Sequence, residues 1–442
     1  LIKKPNFVPD PSNGLAPRLS TFSAEFSGFN VGLEEVGLGI NDDSVKVSVD
    51  GAAITPSITR TGNKIEIRHD FDFFPKPGQT FSVELDYNDT ASPAGAHSES
   101  VEVTVPAYFG FLSSEFKVDN VDTSMPGFIA NITQISEVQI DVATAFAHGN
   151  NSTGAERQLR GEFIDPNTEA PYLNEAGDFD ATSFEITPVN VDLVNFEQAE
   201  GSIGNFTEAT GFKDALFPGI PGFNESTDGV AGEFLTHVEL KRGFNTMGVN
   251  SDDGFKVTSG PSPVDQFGTR LGIFDSDRGS ADTIFNFVVE EDGVYPMRLL
   301  WWEGRGGANV EWFSVVEGEK ILVNDTSNAN ANKAYRKTTN GAITYASKVT
   351  PSPGATGVEP DTSIEVQLTD GSEPVDTATV SLTVNGANVD ASVSKSDGVT
   401  TVSFAPDGFL AGGSTQTASL SYNGITRDWS FTVRDYGGPT LD

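Results

Sequence analysis

Cysteine is absent from the 442-residue chain, which excludes disulfides, thiolate zinc sites, iron–sulfur clusters and a cysteine nucleophile together. Positive charge is scarce: 27 Lys and Arg face 63 Asp and Glu, a formal net charge of −36. A surface that acidic repels phosphate backbones and anionic headgroups, so neither a nucleic-acid partner nor a membrane surface is expected. No apolar run approaches the roughly 20 residues that span a bilayer, which argues against membrane insertion. The four histidines, His69, His97, His148 and His237, stand in unrelated contexts, and neither a His-Glu-x-x-His nor a Gly-x-Ser-x-Gly pattern occurs. Hydrolysis built on histidine is therefore not expected. The chain begins Leu1-Ile2-Lys3-Lys4 rather than with a Met or a signal peptide, which reads as a mature, processed product.

What the chain has is material for packed cores. Hydrophobic residues make up 37% and Phe alone 32 positions, so the acidity is not that of a disordered tail. At about 100–200 residues per domain, the length calls for two to four domains. Acidity without cysteine, with abundant Gly, Thr, Ser and Asn, points to an extracellular, salt-tolerant protein, since absent cysteine does not by itself place a protein in the cytoplasm.

The ends of the chain repeat each other. Val45-Lys46-Val47-Ser48-Val49-Asp50-Gly51-Ala52-Ala53-Ile54 recurs, displaced by 335 positions, as Val380-Ser381-Leu382-Thr383-Val384-Asn385-Gly386-Ala387-Asn388-Val389. The same offset carries Phe74 onto Phe409, Gly78 onto Gly413, Leu85 onto Leu420, Tyr87 onto Tyr422 and Asn88 onto Asn423. Each copy has a period-2 apolar run, an Asp-Gly or Asn-Gly pair suited to a two-residue hairpin turn, and a second short run. About seven short strands in roughly 95 residues suggest a sandwich. Both copies resemble the bacterial immunoglobulin-like modules that flank other domains in large surface proteins, a resemblance that implies spacing and docking and brings no catalytic residue. The expected boundaries are 1–106 and 346–442.

Residues 107–184 are the least periodic part, expected as connecting strands and loops, or as part of the central domain, with one short helix near Thr153–Arg160. From 185 to 345 the pattern sharpens. Asn250-Ser251-Asp252-Asp253-Gly254-Phe255 interrupts an alternating run. Val294 to Glu303 is apolar on both sides, as in a central strand buried on both faces. It leads into Gly304-Arg305-Gly306-Gly307-Ala308 and then Asn309-Val310-Glu311-Trp312-Phe313. In this order and spacing the three words resemble the protective-antigen-type β-sandwich of a toxin component, yeast flocculins and many bacterial glycosidases and surface proteins. In the sugar-binding members two consecutive Asp residues joined by a cis peptide hold Ca²⁺ with an Asn and backbone carbonyls of a second loop. The resemblance thus implies Asp252 and Asp253 as calcium ligands, with Asn309 an approximate match for the Asn. Adjacent carboxylates on a tight turn suit an ion that takes six to eight oxygens at about 2.3–2.6 Å; the plainer alternative is a hairpin turn.

Asp275 and Asp277, alternating ahead of Gly279, form a second, weaker metal candidate, for which a solvated turn is the competing reading. Trp301, Trp302 and Trp312 offer flat faces for sugar rings, although their strand context assigns at least two to the core. Trp302, Glu303 and Arg305 are the candidate ligand contacts. A carboxylate pair can hydrolyse glycosides, but no recognised catalytic module remains once three β domains are assigned, so no enzyme is expected. The fold expectation is all-β: a central protective-antigen-type sandwich between two homologous immunoglobulin-like sandwiches. The function expectation is an extracellular structural or adhesive protein on a bacterial surface, in a marine or saline setting, polymerising with copies of itself. Phe7 and Val8 in the proline-rich N-terminal segment would anchor each copy on the next, the plainer alternative being a flexible leader, and calcium would stiffen the central domain. The alternative is a calcium-dependent carbohydrate-binding protein, with polysaccharide as partner.

Overall fold

The computed structural model describes residues 16–435 except 26–27, 72–74, 120, 138, 140–149, 177–182, 200–202 and 337–342. The chain divides into two compact units, 1–108 and 109–442, and both are built of β-sheet.

The first unit is a sandwich of two four-stranded antiparallel sheets. One runs in the order Arg18–Glu25, Gly28–Glu34, Lys64–Asp70, Ser57–Thr61, and the other Ala52–Ile54, Ile40–Val49, Thr80–Asp89, Ala96–Thr104. Strict alternation decides what each strand buries. Along Thr80–Asp89, Phe81, Val83, Leu85 and Tyr87 point inward and their neighbours outward.

Residues 345–432 in the second unit repeat this plan strand for strand. One sheet is Tyr345–Thr350, Ile364–Thr369, Val399–Phe404, Ser392–Ser396; the other is Ala387–Asn388, Ser381–Val384, Thr415–Tyr422, Ile425–Thr432. Residues 335 apart take equivalent places. Val47 and Leu382, Leu85 and Leu420, and Tyr87 and Tyr422 are all in their cores. The hairpin turns Asp50-Gly51 and Asn385-Gly386 have matching positive φ at both residues, 48° and 76° against 51° and 76°.

The rest of the second unit is a larger sandwich of two seven-stranded sheets, whose strands are numbered here in chain order: β1 Gly110–Leu112, β2 Phe128–Gln134, β3 Val189–Val191, β4 Asn195–Glu197, β5 Ala215–Leu216, β6 Val230–Leu240, β7 Gly243–Asp252, β8 Gly254–Ser259, β9 Thr269–Phe274, β10 Ala281–Val289, β11 Gly293–Glu303, β12 Asn309–Val316, β13 Glu319–Leu322 and β14 Ala334–Tyr335. The first sheet runs β3-β2-β6-β11-β8-β9, with β14 also on β6. The second runs β5-β4-β12-β7-β10-β1, with β13 also on β12. β1 and β2 come from the segment 107–184, expected as connecting strands and loops or as part of the central domain, and both pair with strands far along the chain.

The core between the sheets holds Phe128, Phe234, Phe255, Trp301 and Trp312, all essentially inaccessible. β11 is buried on both faces for two different reasons. Met297, Leu299 and Trp301 enter the inter-sheet core, whereas Leu300 and Trp302 point outward and are covered by helix α1, Ser152–Leu159, through Ala155 and Leu159. Each large side chain so covered contributes about 1.5–3 kcal/mol. Asn151 caps α1 by accepting from the Gly154 N–H.

Beneath α1 lies a buried ion network. Arg298 of β11 donates to Glu156 of α1 (2.6 and 2.9 Å) and to Glu233 of β6 (2.6 Å), and Lys256 of β8 adds a bond to Glu156 (3.2 Å). Burial alone would raise the Glu156 carboxyl, but the charges of Arg298 and Lys256 hold it well below the usual range. The last sandwich is joined to the central one through the segment after β8. Asp265 accepts from the Ala346 N–H (2.9 Å), and the Phe267 ring lies 5.4 Å from that of Trp429.

Candidate functional site

Two of the chain's crossings between the central sheets meet at one end of the sandwich. The first crossing is abrupt: β7 ends at Asp252 in one sheet and β8 begins at Gly254 in the other, leaving Asp253 alone at the corner, and the Asp252–Asp253 peptide is cis. The second is the loop Gly304 to Ala308 between β11 and β12. The crossings meet because β12 pairs with β7 and places Asn309 directly opposite Asp252.

Four groups fix the corner. Asp253, 5% exposed, accepts at Oδ1 from the Arg278 N–H (2.9 Å) and at Oδ2 from Asn150 Nδ2 (2.7 Å) and the Gly304 N–H (3.0 Å). The Arg278 guanidinium donates to the Ser251 and Asp253 carbonyls (3.0 and 3.2 Å) and stacks 4.1 Å from the centre of the Phe274 ring. Trp301 Nε1 donates to the Asp252 carbonyl (3.0 Å). Gly307 lies against the Asp252 carboxylate so closely that a Cβ there would stand 2.7 Å from Oδ2.

The Asp252 carboxylate is held less fully, by the Ser280 backbone N–H. Burial, and then the charge of Asp253, push it up to about 6. Asn309 is 1% exposed; its Nδ2 donates to Asn250 Oδ1 (2.8 Å), while its own Oδ1 is buried without a donor. An acceptor oxygen left bare beside a carboxylate costs about 1–3 kcal/mol unless a cation or donor meets it. Oxygen-only ligands on two tight crossings fit Ca²⁺ better than a metal that prefers nitrogen or sulfur. Among the described residues no three or more acidic or histidine side chains converge as a metal cluster. A cation at this corner would have to draw on amide and backbone oxygens as well.

The other expected residues fall out differently. Trp302 is 2% exposed and covers the face of Gly254, whose Cβ would meet the ring at 2.3 Å. It is a packing residue with no ring face open to a sugar, because the outer face of β11 is roofed by α1; Trp301 and Trp312 are closed off within the inter-sheet core instead. Glu303 is 2% exposed, and neither of its carboxylate oxygens has a partner. Burial, followed by the charges of Asp228, Asp253, Asp252 and Glu137, pushes it up to about 10. It lines a cavity of about 50 Å³ with Trp302, Gly304 and Asn150. Arg305 is exposed at the tip of the second crossing.

Asp275 and Asp277 are exposed but engaged. Asp275 accepts from the N–H (2.7 Å) and hydroxyl (2.9 Å) of Ser152, and Asp277 accepts from Asn150 Nδ2 (2.9 Å). Both hold the start of α1, and Asn150 bridges Asp277 to Asp253. Phe7 and Val8 lie outside the described residues. Asn150 and Arg278 escaped sequence reasoning, because Asn150 stood out only as a possible glycosylation triplet and Arg278 only as a neighbour of two Asp residues.

No family model matches the chain, and no curated protein matches it. Among solved structures, the PA14 domain of the MpAFP antifreeze protein aligns at 14% identity over 46% of this chain and 89% of that one, with a TM-score of 0.27. The A domain of epithelial adhesin 6 from Candida glabrata, solved in complex with Galβ1-3GlcNAc, aligns at 12% identity over 51% and 94%, with a TM-score of 0.28. An anti-sigma factor domain-containing protein from Clostridium clariflavum aligns at 10% identity over 71% and 86%, with a TM-score of 0.24.

Proposed function

We propose that the chain is a non-enzymatic adhesive protein of the cell surface whose central sandwich binds carbohydrate through a calcium ion held by Asp252, Asp253 and Asn309. The observation that carries this is the meeting of the two crossings, where a partly buried carboxylate with a raised pKa faces a buried amide oxygen that has no donor. Gly307 keeps the approach to Asp252 Oδ2 clear of side chain. A calcium ion supplies charge compensation and open coordination positions for neutral oxygens such as sugar hydroxyls. Arg305, exposed on the second crossing, is placed to contact a ligand there. The flanking eight-stranded sandwiches serve as immunoglobulin-like spacers in this reading.

The test is thermal unfolding of the full chain with and without chelator, paired with a glycan array in calcium. Chelation lowers the melting temperature of the wild type by clearly more than that of an Asp252→Asn/Asp253→Asn variant, and the variant loses calcium-dependent glycan signal. Equal sensitivity to chelator in both proteins would refute the calcium site. Calcium binding without any glycan signal would refute the carbohydrate reading alone.

A further inference from the structure

A second oxygen-lined site lies on the same sheet, two strands from Asp252. β4 alternates so that Phe196 enters the core while Asn195 and Glu197 point to the outer face. β12 sets Glu311 opposite Asn195 and Asn309 opposite Glu197. On the other side β5 runs parallel to β4 with Ala215 against Phe196, so Asp214, one residue earlier, comes beside Asn195. Three carboxylates and an amide thus share one face, and all are buried: Asn195 and Glu197 at 5% exposure, Asp214 at 3% and Glu311 at 1%.

Their hydrogen bonds divide them. Glu311 is fully used, accepting from the N–H groups of Asn205 and Phe206 and from Asn205 Nδ2 at 2.8–2.9 Å. It ties the segment before Asp214 down over the sheet. Glu197 Oε2, Asp214 Oδ2 and Asn195 Oδ1 have no donor at all. Asn195 directs its amide hydrogens to the Phe206 carbonyl (3.2 Å) and toward Asp214, which the Ile203 N–H also approaches. The nearby Lys320 is taken by Asp282 and by Asn205 Oδ1. Burial, and then the charge of Glu197, raise Asp214, and burial raises Glu311 with Asp214 adding to it. Buried carboxylate oxygens left without donors are costly unless a counter-charge meets them.

We propose that Asn195, Glu197 and Asp214 hold a second calcium ion, distinct from the one at Asp252, which clamps the segment from 203 to 214 onto the sheet. All three offered atoms are oxygens, two from carboxylates and one from an amide, the donor set of a hard divalent cation. No nitrogen or sulfur ligand is in the set, which disfavours zinc. The ion replaces the missing donors at three orphaned acceptors at once. Because Asn309 stands in register between Glu197 and Asp252, it also steadies the strand that serves the first site.

The experiment counts calcium on the full chain after equilibration at about 1 mM free Ca²⁺, in the range used by extracellular modules, using elemental analysis. The isosteric Glu197→Gln/Asp214→Asn variant binds one equivalent fewer than the wild type, whatever the wild-type total. The Asp252→Asn/Asp253→Asn variant keeps that equivalent. In the wild type, hydrogen exchange across 203–214 slows on adding calcium, and in the Glu197→Gln/Asp214→Asn variant it does not. An unchanged calcium count in that variant, or exchange in the wild type indifferent to calcium, would overturn the proposal.

Discussion

Glu303 gives the sharpest quantitative test of the electrostatics at this end of the sandwich. Its carboxyl is pushed from an ordinary value of 4.5 up to about 10. A group raised in the folded state contributes stability that is fully present below its unfolded pKa and is lost as pH rises toward its folded one. Across the window from 4.5 to about 10 the wild type must therefore bind one proton more when folded than when unfolded, and loses about 1.36 kcal/mol of stability per pH unit. Glutamine removes that titration while keeping the shape. Its own hydrogen-bonding cost is constant with pH, so the slope rather than the offset carries the result. Between pH 5 and 8 the difference in unfolding free energy, Glu303→Gln minus wild type, should grow by about 4 kcal/mol. That range stays above the isoelectric point of about 4.2, where precipitation would interfere. Urea unfolding in chelator, followed by Trp fluorescence, is well suited, because Trp301, Trp302 and Trp312 report the central sandwich and Trp429 the last one. Asp252 and Asp265, each raised to about 6 by burial, titrate in both proteins and cancel in the difference. Parallel curves for the two proteins across this range would refute the assignment of Glu303 as a buried, neutral acid.

Arg298→Met should destabilise the central sandwich by about 3–5 kcal/mol, since it strands the Glu156 carboxylate under α1 with only partial compensation; chemical denaturation measures it, and a loss under 1 kcal/mol would show the network to be dispensable. Gly307→Ala puts a methyl 2.7 Å from Asp252 Oδ2, so calcium affinity at the first site should fall at least tenfold by titration calorimetry while the melting temperature in chelator shifts little. Phe267→Ala removes the ring packed on Trp429 and should weaken the coupling between the central and last sandwiches by about 2–4 kcal/mol, visible in calorimetry as a transition that separates into two.

Period-2 alternation was enough to assign the all-β class, because each strand needs only its own residues to declare which side is apolar. The displacement of 335 positions was enough to pair the end sandwiches, since matching turn residues such as Asp50-Gly51 and Asn385-Gly386 must adopt the same positive φ. The Asp252-Asp253 corner and the glycine-rich second crossing were equally visible, because both chemistries are written in adjacent residues.

Tertiary structure decided the rest. Whether Trp302 faces solvent or packs depended on α1, which lies some 140 positions earlier and is anchored through Glu156 on Arg298, 142 residues away. Asn150 reaches Asp253 across 103 positions. Nothing local distinguishes Asn195, Glu197 and Asp214 from the many other acidic and amide residues of a chain with 63 Asp and Glu. They become a set only when β4 pairs β5 in parallel and β12 on its other side. Strand alternation is a property of neighbours in sequence, whereas a ligand sphere is assembled from different strands and loops, and only the pairing register brings its oxygens to one point.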